Sequence, residues 1–462
     1  MKKSFFVISP LILLTGEAFT QNQSPNIVFI LADDMGWKDL ACYGNGYTET
    51  RNIDELAKTG MLFTQAYAAC PVSSPTRASI MTGKYPARLQ LTNFIAGNRT
   101  DEESPVLPAK WKPWLDSREI TIAELLKKKG YTTGMAGKWH LGSHDSLAPW
   151  NQGFDFTRMI GKNGLDYYNY SIFSGSYKNE SFDKGTEYLT DKLTDHGVEF
   201  ILKNKDKPFF LYLAYSAPHV FIVPRPDKLA KYFRKYGTGG KFNPYYSAMI
   251  ESIDDGVGRI IETLYREGLL ENTLIVFTSD NGGLGLDELG PAPTSNLPLR
   301  KWKGHVYEGG IRVPAIISWP GKVKPGTVSD EYFSSIDYLP TFCEVAGIDY
   351  LPDNVDGISI LPLLTDCAPQ TAERPLFWHY PHFSNQLGRP SGAVRMGDYK
   401  LVENYETGKP ELFNLHDDLS ESNDLSKIMS DKTIEMHKLL VSWRKSVDAQ
   451  MPGKNPEYKP VN

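Results

Sequence analysis

This chain has few cysteines, little net charge and few long apolar runs. Four cysteines occur among 462 residues, and their spacing resembles no zinc site, although it allows one or two disulfides. The net charge is −5, so there is no basic surplus of the kind that indicates a nucleic acid partner. Hydrophobic residues make up 41% and charged residues 23%, which excludes a disordered, coiled-coil or multispan membrane chain. A chain of this length can bury a large core without disulfides.

A short apolar run stands near the N-terminus. Lys2 and Lys3 precede the mostly apolar residues 5–14, and small residues follow up to Thr20. This pattern is typical of a secretory signal peptide over residues 1–20, because the run is too short to remain as a membrane span. The alternative is a buried N-terminal strand. We therefore expect an exported protein, periplasmic or secreted, with no membrane partner.

Short apolar segments alternate with helical patterns through most of the chain. The strand-like segments are 26–32, 209–213, 273–278 and 314–319. Apolar residues recur at helical spacing over 246–264, and residues 120–129 read as another helix. Continuous apolar strands suit a sheet that is covered on both faces. The alternation predicts a doubly wound α/β domain over residues 21–365.

The pattern changes after about residue 365. Short strand-like segments joined by polar turns lie at 376–380, 393–395, 399–402 and 411–415. A helical pattern over residues 428–447 follows them. These features predict a smaller α+β unit over residues 366–462.

Two of the strong strands run into acidic residues. Asp33 and Asp34 follow the first strand, and Asp280 and Asn281 follow the third. Ligands bind at the carboxyl ends of strands in open α/β sheets, so these side chains are candidates for one site. Three carboxylates and an amide oxygen suit calcium or magnesium and are poor ligands for zinc. The alternative is that Asp33 and Asp280 cap helices, but acids at two strand ends together favour a metal.

Another candidate segment, residues 73–83, reads Ser-Ser-Pro-Thr-Arg-Ala-Ser-Ile-Met-Thr-Gly. Pro75 is tolerated in the first turn of a helix, and Arg77 lies one turn after Ser73 on the same face. Ser73 is thus expected at a helix N-terminus beside a guanidinium, which is a favourable place for an anion. The simpler alternative is a serine that only caps the helix.

This segment resembles the signature of type I sulfatases, in which Cys or Ser is followed by x-Pro-x-Arg, a hydrophobic residue and Thr-Gly. In that family the first residue is oxidised to formylglycine, and the hydrate of formylglycine is the nucleophile. Ser73 takes this position, whereas Cys70 does not, because Val72 would then fall at the proline position. A serine here resembles the bacterial branch that a radical enzyme matures, so the resemblance implies a maturation enzyme as a partner.

Further motifs of the family have counterparts in order along the chain. They are Asp33-Asp34-Met35-Gly36, Gly137-Lys138-Trp139-His140-Leu141-Gly142, Ser216-Ala217-Pro218-His219, Ser279-Asp280-Asn281-Gly282, Lys303 and Glu308-Gly309-Gly310-Ile311-Arg312-Val313-Pro314. The resemblance implies an alkaline-phosphatase-like mixed sheet with a smaller C-terminal α+β subdomain. It implies catalytic roles for Ser73, Arg77, Lys138, His140, His219 and Lys303. It also implies one divalent cation, with Ca²⁺ as the first choice, on Asp33, Asp34, Asp280 and Asn281.

The implied roles divide into charge neutralisation and proton transfer. Lys138, Lys303 and the metal would neutralise the sulfate oxygens. His219, as imidazolium, would protonate the leaving alcohol. His140 would then remove the proton of the second hydroxyl so that sulfate leaves. Residues 138–140 are expected to be extended, which would point Lys138 and His140 to one face.

Several functions compete. The signal peptide and the aromatic tracts favour an exported sulfatase with a sulfated carbohydrate as its substrate. Alternatives are an arylsulfatase of small esters, a phosphomonoesterase or phosphonate hydrolase of the same superfamily, and a binding protein without catalysis. The sequence shows no second set of metal ligands for a two-zinc phosphatase. A binding protein would not need both acid-base histidines.

Overall fold

The computed structural model describes residues 24–161, 166–184, 187–237, 243–286, 292–365 and 374–459. The expected signal peptide over residues 1–20 lies outside these ranges, as does Cys367. Cys42, Cys70 and Cys343 are free thiols, so no disulfide forms among the described cysteines. None of the described helices is both long enough and apolar enough to cross a membrane.

A large mixed sheet organises the part of the chain before residue 365. Its strands, together with the short β3 outside it, are β1 (Asn26–Ala32), β2 (Met61–Tyr67), β3 (Val106–Leu107), β4 (Thr132–Gly137), β5 (Phe156–Ile160), β6 (Asn169–Phe173), β7 (Glu180–Lys184), β8 (Phe209–Ala214), β9 (Thr273–Ser279), β10 (Arg312–Ser318), β11 (Thr327–Ser329) and β12 (Phe333–Ser334). The order is β11-β2-β10-β9-β1-β8-β4-β5-β6-β7, and β12 also pairs with β2. The central strands β9, β1, β8, β4 and β5 are parallel, whereas β10 is antiparallel to both β9 and β2. The predicted mixed sheet is confirmed.

Helices cover both faces of this sheet. They are α1 (Arg51–Thr59), α2 (Ser73–Thr82), α3 (Pro86–Leu89), α4 (Ile122–Lys128), α5 (Leu189–Asn204), α6 (Pro226–Tyr236), α7 (Pro244–Arg266), α8 (Glu308–Ile311), α9 (Tyr338–Val345) and α10 (Leu361–Thr365). Strand β1 shows the arrangement, because its residues alternate between two apolar clusters. Phe29 packs in one cluster with residues of α2, α4 and α9, and Ile30 packs in the other with residues of α1, α5 and α7. Both faces are therefore buried, as the continuous apolar strands predicted.

The local sequence determines the residue at which the longest described helix begins. The Asn243 side chain accepts hydrogen bonds from the main-chain nitrogens of Tyr245 and Tyr246, and Pro244 occupies the first turn. An asparagine cap satisfies main-chain donors that have no partner inside the helix, and proline fits there without losing a hydrogen bond. Helix α7 therefore begins before the predicted residue 246.

The C-terminal unit is a four-stranded antiparallel sheet with one helix. Its elements are β13 (Leu376–Tyr380), β14 (Ser391–Met396), β15 (Tyr399–Asn404), β16 (Pro410–Asn414) and α11 (Ser430–Ser446). The short β17 (Gly453–Lys454) pairs instead with β3. Helix α11 packs on one face, where the rings of Trp443 and Phe377 stack 4.6 Å apart. Trp378 on the other face lies in an apolar cluster with Val72 and Ile311 of the large unit. The predicted α+β subdomain is confirmed, and its expected start at residue 366 lies outside the described residues.

Candidate active site

Four adjacent parallel strands deliver polar side chains to one end of the sheet. Asp280 follows β9, Asp33 follows β1, His219 follows β8 and Lys138 follows β4. Because the carboxyl ends of parallel strands meet at one edge, residues far apart in sequence come together there. The expected clustering at the strand ends is what the structure contains.

Three acids and an amide converge at this edge. Asp33 and Asp280 are 0% exposed, and Asp34 is 1% exposed. The main-chain nitrogen of Asp34 donates to Oδ1 of Asp280 at 3.1 Å. Nδ2 of Asn281 donates to Oδ1 of Asp34 at 2.8 Å. The four residues proposed as metal ligands therefore form one buried, connected group.

Each acid of this group faces a cation. Lys138 Nζ lies 2.5 Å from Oδ2 of Asp33, and Lys303 Nζ lies 2.6 Å from Oδ2 of Asp34. The guanidinium of Arg77 lies 2.8 Å from Oδ2 of Asp280. Burying a charge is strongly unfavourable unless it is paired, so each of these contacts offsets the cost of burying an acidic side chain.

Gly137 allows Lys138 to reach this group. Strand β4 ends at Gly137, whose φ of 120° is unfavourable for other residues. A Cβ at this position would lie 1.7 Å from the main-chain oxygen of Ala214 in β8. The close approach lets the main-chain nitrogen of Lys138 donate to the same oxygen at 2.8 Å.

Ser73 is the first residue of α2, and its hydroxyl faces the acids. Its Oγ lies 3.1 Å from Oδ1 of Asp33 and 3.4 Å from Oδ1 of Asn281. Val72 is the N-cap residue of α2, and no side chain caps this helix. The alternative that Ser73 only caps the helix is therefore wrong.

Two neighbouring side chains could compete with Ser73 for a nucleophilic role, but both are engaged elsewhere. The Ser74 hydroxyl accepts a hydrogen bond from the main-chain nitrogen of Ile95 at 3.1 Å. The buried Cys70 thiol lies 4.0 Å from the main-chain oxygen of Thr92. Of these three side chains, Ser73 alone contacts the acidic group.

The local charges shift the pKa of Asp33 and Lys138. Burial acts to raise the pKa of Asp33, but Lys138, His219 and Arg77 outweigh it and lower the pKa to about 2. Burial also lowers the pKa of Lys138, although Asp33 opposes this shift. The carboxylate of Asp33 is thus held ionised by the same cations that would attract an anionic substrate.

Two histidines lie beside the charged group. His219 Nε2 is 3.6 Å from Oδ2 of Asp34, and burial and the charge of Lys303 lower the pKa of His219. Burial and the charge of Lys138 lower the pKa of His140 well below its usual value. These lowered pKa values favour the neutral form of both imidazoles in the free protein.

The backbone at His140 differs from the prediction. Residues 138–140 were expected to be extended, but His140 has a φ of 59°, in the left-handed region. The strand already ends at Gly137, so simple alternation of side chains does not apply. His140 Nδ1 is buried and has no hydrogen-bond partner among the described residues.

The acidic group fits a hard cation. Asp33 and Asp34 each offer a carboxylate oxygen, and His219 offers a ring nitrogen. These three atoms all lie within 4.8 Å of one another. Carboxylate oxygens are the ligands that calcium and magnesium prefer. Thiolates are absent from this set, which is unlike a structural zinc site.

Sequence motifs did not identify all the residues that support the site. Tyr167 contacts the main chain at His219, and Lys400 contacts Glu308, which begins α8. Tyr167 lies outside every motif recognised in the sequence, and Lys400 lies in the tail, where the resemblance assigned no role. Their contacts depend on chain segments that only the fold brings together.

Comparisons with known proteins identify the family of this chain. The sulfatase family profile matches residues 25–348, and the profile for the C-terminal part of N-sulphoglucosamine sulphohydrolase matches residues 301–446. A sulfatase of Formosa agariphila is 32% identical over 95% of this chain and 92% of its own length. The N-acetylgalactosamine-6-sulfatase of Rattus norvegicus is 33% identical over 85% of this chain and 74% of its own length.

A solved structure also shows the likeness in fold, because it aligns with most of this chain. The crystal structure of Ps i-CgsB in complex with k-i-k-neocarrahexaose aligns with a TM-score of 0.79 and 30% identity, over 94% of this chain and 95% of that chain. The large central sheet and the small C-terminal sheet together form the alkaline-phosphatase-like fold of these proteins. The chain therefore belongs to the sulfatase family and is a sulfuric ester hydrolase.

Proposed function

We propose that the protein is an exported bacterial enzyme that removes sulfate esters from a sulfated glycan. The observation that carries this proposal is the Ser73 hydroxyl, which lies 3.1 Å from Asp33 within a buried group of acids and lysines. The names of two relatives support a carbohydrate substrate, since one acts on an N-acetylgalactosamine sulfate and another was crystallised with a neocarrahexaose. The signal peptide pattern over residues 1–20 supports export.

The proposed nucleophile is formylglycine made from Ser73. A maturation enzyme would remove two hydrogens from the serine side chain, and the aldehyde would bind water to form a hydrate. A plain serine could attack sulfur once but would remain as a stable sulfate ester. A hydrate carries a second hydroxyl, which allows sulfate to leave and the aldehyde to return. The position of Ser73 at the start of α2 supports this role, because the α2 main-chain nitrogens and Arg77 favour an oxyanion there.

The lysines are proposed to bind the sulfate group. A sulfate monoester is an anion, and negative charge develops on the leaving oxygen as the S–O bond breaks. Lys138 is 16% exposed and Lys303 is 9% exposed at the side chain, so both ammonium groups would act in a site largely free of water. Fixed positive charges in such a site stabilise developing negative charge far better than water does.

The histidines are proposed to move protons in the two half-reactions. His219 would protonate the leaving alcohol during attack on sulfur. His140 would then accept the proton of the second hydroxyl of the hydrate. Binding of the sulfate anion would raise the pKa of His219 above its value in the free protein, since a nearby negative charge favours the imidazolium.

One divalent cation, with Ca²⁺ as the first choice, is proposed at Asp33, Asp34, Asp280 and Asn281. When bound, it would supply positive charge beside the sulfate oxygens and the hydrate. The oxygen-rich donor set supports this choice. The proposed chain organisation is a catalytic α/β domain over residues 21–365 and a subdomain over residues 366–462.

The test is a substrate screen with matured protein. Defined monosulfated oligosaccharides, nitrophenyl sulfate and nitrophenyl phosphate are compared, with release of free sulfate or phosphate as the measurement and the Ser73→Ala variant as the control. We expect sulfate release from at least one oligosaccharide and none from the control. Turnover restricted to nitrophenyl sulfate would favour a small-ester arylsulfatase, and faster release of phosphate would favour a phosphatase.

A further inference from the structure

A buried tyrosine ties together both ends of the turn that carries His219. The Tyr167 hydroxyl lies 2.9 Å from the main-chain oxygen of Ser216 and 3.0 Å from that of His219. The main-chain nitrogen of His219 also donates to the oxygen of Ser216, at 3.1 Å. Since a hydroxyl has one proton, Tyr167 shares it between two carbonyls. Tyr167 is 0% exposed, so water cannot replace this donor without rearrangement.

The main chain in turn determines where the imidazole of His219 points. His219 Nδ1 lies 2.6 Å from the main-chain oxygen of Val220, so Nδ1 carries a proton and donates it. The other nitrogen, Nε2, is then directed to the acidic group, 3.6 Å from Oδ2 of Asp34. A shift of the main chain at residues 219 and 220 would therefore move Nε2.

A second tyrosine supports the first. The rings of Tyr167 and Tyr188 stack with centroids 5.6 Å apart, and the Tyr188 hydroxyl donates to the main-chain oxygen of Val223 at 3.0 Å. Tyr188 immediately precedes α5, and the main-chain nitrogen of Leu189 donates to the oxygen of Tyr167 at 2.9 Å. The tyrosine pair thus connects the segment 216–223 to the start of a helix packed on the sheet.

We infer that Tyr167 is a positioning residue for proton transfer by His219. This inference rests on the proposed function, in which His219 protonates the leaving alcohol. Replacing Tyr167 by phenylalanine keeps the ring stacking but removes the hydroxyl that both carbonyls share, while the oxygen of Ser216 still accepts from the main-chain nitrogen of His219. Misplacement of a catalytic group by about 1 Å can lower a rate on the order of 100-fold. The loss should be confined to substrates whose leaving group needs a proton.

The test compares two substrates that share the sulfate and differ in the leaving group. For Tyr167→Phe we expect kcat to fall about tenfold or more on a sugar sulfate and less than about threefold on nitrophenyl sulfate. The KM for each substrate should change little, because Tyr167 contacts the main chain. Tyr43→Phe is the matched control, since the buried Tyr43 hydroxyl also contacts two main-chain oxygens, of Phe63 and Ala315.

The reference variant His219→Ala separates failure of the inference from failure of the proposed function. We expect His219→Ala to be selective for the sugar sulfate, and Tyr167→Phe to add no further selectivity in that background. Selective loss in His219→Ala with an equal loss on both substrates in Tyr167→Phe would overturn the positioning role alone. Equal losses in His219→Ala would overturn the acid role and the inference with it.

A fallback keeps the test decisive if Tyr167→Phe does not fold. Tyr188→Phe removes the hydroxyl that contacts Val223 and keeps the stacked ring. In this variant kcat should also fall more on the sugar sulfate than on nitrophenyl sulfate, but by a smaller factor than in Tyr167→Phe. A loss of the same size on both substrates would overturn the role of the tyrosine pair.

Discussion

Lys400 and Glu308 form a fully buried ion pair between the C-terminal sheet and the large unit, with Lys400 Nζ 2.8 Å from Oε1 of Glu308. Lys400 Nζ also lies 2.8 Å from Oε1 of Glu421, and Oε2 of Glu421 accepts a hydrogen bond from the main-chain nitrogen of Glu308. Burial and the charge of Glu308 raise the pKa of Glu421, although Lys400 opposes this shift. The ammonium group of Lys400 therefore contacts two buried carboxyl groups.

This pair lies behind the loop that carries Asp280 and Asn281, two of the proposed metal ligands. Glu308 begins α8, and the main-chain oxygen of Gly310 in that helix accepts a hydrogen bond from the nitrogen of Gly282 at 3.0 Å. A Cβ at Gly282 would lie 1.9 Å from the oxygen of Gly309, so only glycine fits. Gly282 directly follows Asn281, and the C-terminal subdomain therefore supports the site through α8.

The first prediction is a large loss of stability when Lys400 is removed. Lys400→Met removes the cation that Glu308 and Glu421 share and leaves Glu308 the more distant cation of Arg312, at 3.6 Å. We expect this change to lower the free energy of unfolding by about 3–5 kcal/mol. Urea denaturation followed by circular dichroism measures this difference. The control is Lys58→Met, which removes an exposed pair with Glu55 and should change stability by less than about 1 kcal/mol. Equal losses in the two variants would contradict the prediction.

The second prediction concerns Asp254, which joins α7 to the start of α1. Its carboxylate accepts hydrogen bonds from the main-chain nitrogen of Ile53 and from Nδ2 of Asn52, both at 2.8 Å. Burial nevertheless raises the pKa of Asp254 from 3.8 to about 6. The carboxyl group of Asp254 thus binds its proton more tightly in the folded state than in the unfolded chain. The corresponding stability is fully present below about pH 4 and is lost as the pH rises through about 6.

Measurement of unfolding free energy across pH checks this sign. Between pH 4 and pH 7 the stability of the wild type should fall, relative to Asp254→Asn, by about 2 kcal/mol. The exposed Asp349 provides the control, since Asp349→Asn should follow the wild type throughout. A difference that grows in the opposite direction would show that the carboxylate is stabilised in the folded state.

The sequence predicted the elements that depend on local pattern. The first strand was expected at residues 26–32 and is found at Asn26–Ala32, because six consecutive buried apolar residues follow Asn26. Asp33 and Asp280 were expected to meet because both follow parallel strands, and their contacts agree. The serine at the start of α2 was likewise predicted from Pro75 and Arg77, whose places in a helix follow from simple geometry.

Other features depend on tertiary contacts that no local pattern contains. His140 adopts a φ of 59° where an extended chain was expected, since the close approach of β4 and β8 at Gly137 redirects the segment. Tyr167 acts on a turn about 50 residues away, and Lys400 pairs with Glu308 across 92 residues. Neither partner can be identified from a single sequence, because each contact is created by packing of the complete fold.

The third prediction concerns the metal. Addition of calcium chloride to chelated protein should raise the melting temperature, because a ligand that binds only the folded state stabilises it by about 2.7 kcal/mol at a concentration of 100 times Kd. The Asp34→Asn variant should lose this response, and Asp349→Asn should keep it. A calcium response that survives unchanged in Asp34→Asn would place the cation elsewhere.

The fourth prediction is that residue 73 is formylglycine in active protein. Oxidation removes two hydrogens, so the peptide that carries residue 73 should be lighter by their mass than the serine form. Protein made without a maturation enzyme that accepts serine should still fold, because the Ser73 hydroxyl already fits beside Asp33 at the start of α2. Such protein should turn over negligibly, since the serine sulfate ester has no second hydroxyl to expel the sulfate.

A variant distinguishes a missing modification from a defective site. Ser73→Cys should become active in a host whose maturation enzyme accepts only cysteine, because both residues give the same aldehyde. Ser74→Cys is the matched control, since the Ser74 side chain contacts the nitrogen of Ile95 rather than the acids, and it should stay inactive in that host. Multiple turnovers by protein whose peptide mass shows an unmodified Ser73 would overturn the formylglycine mechanism, because a serine that turns over must lose its ester by direct attack of water.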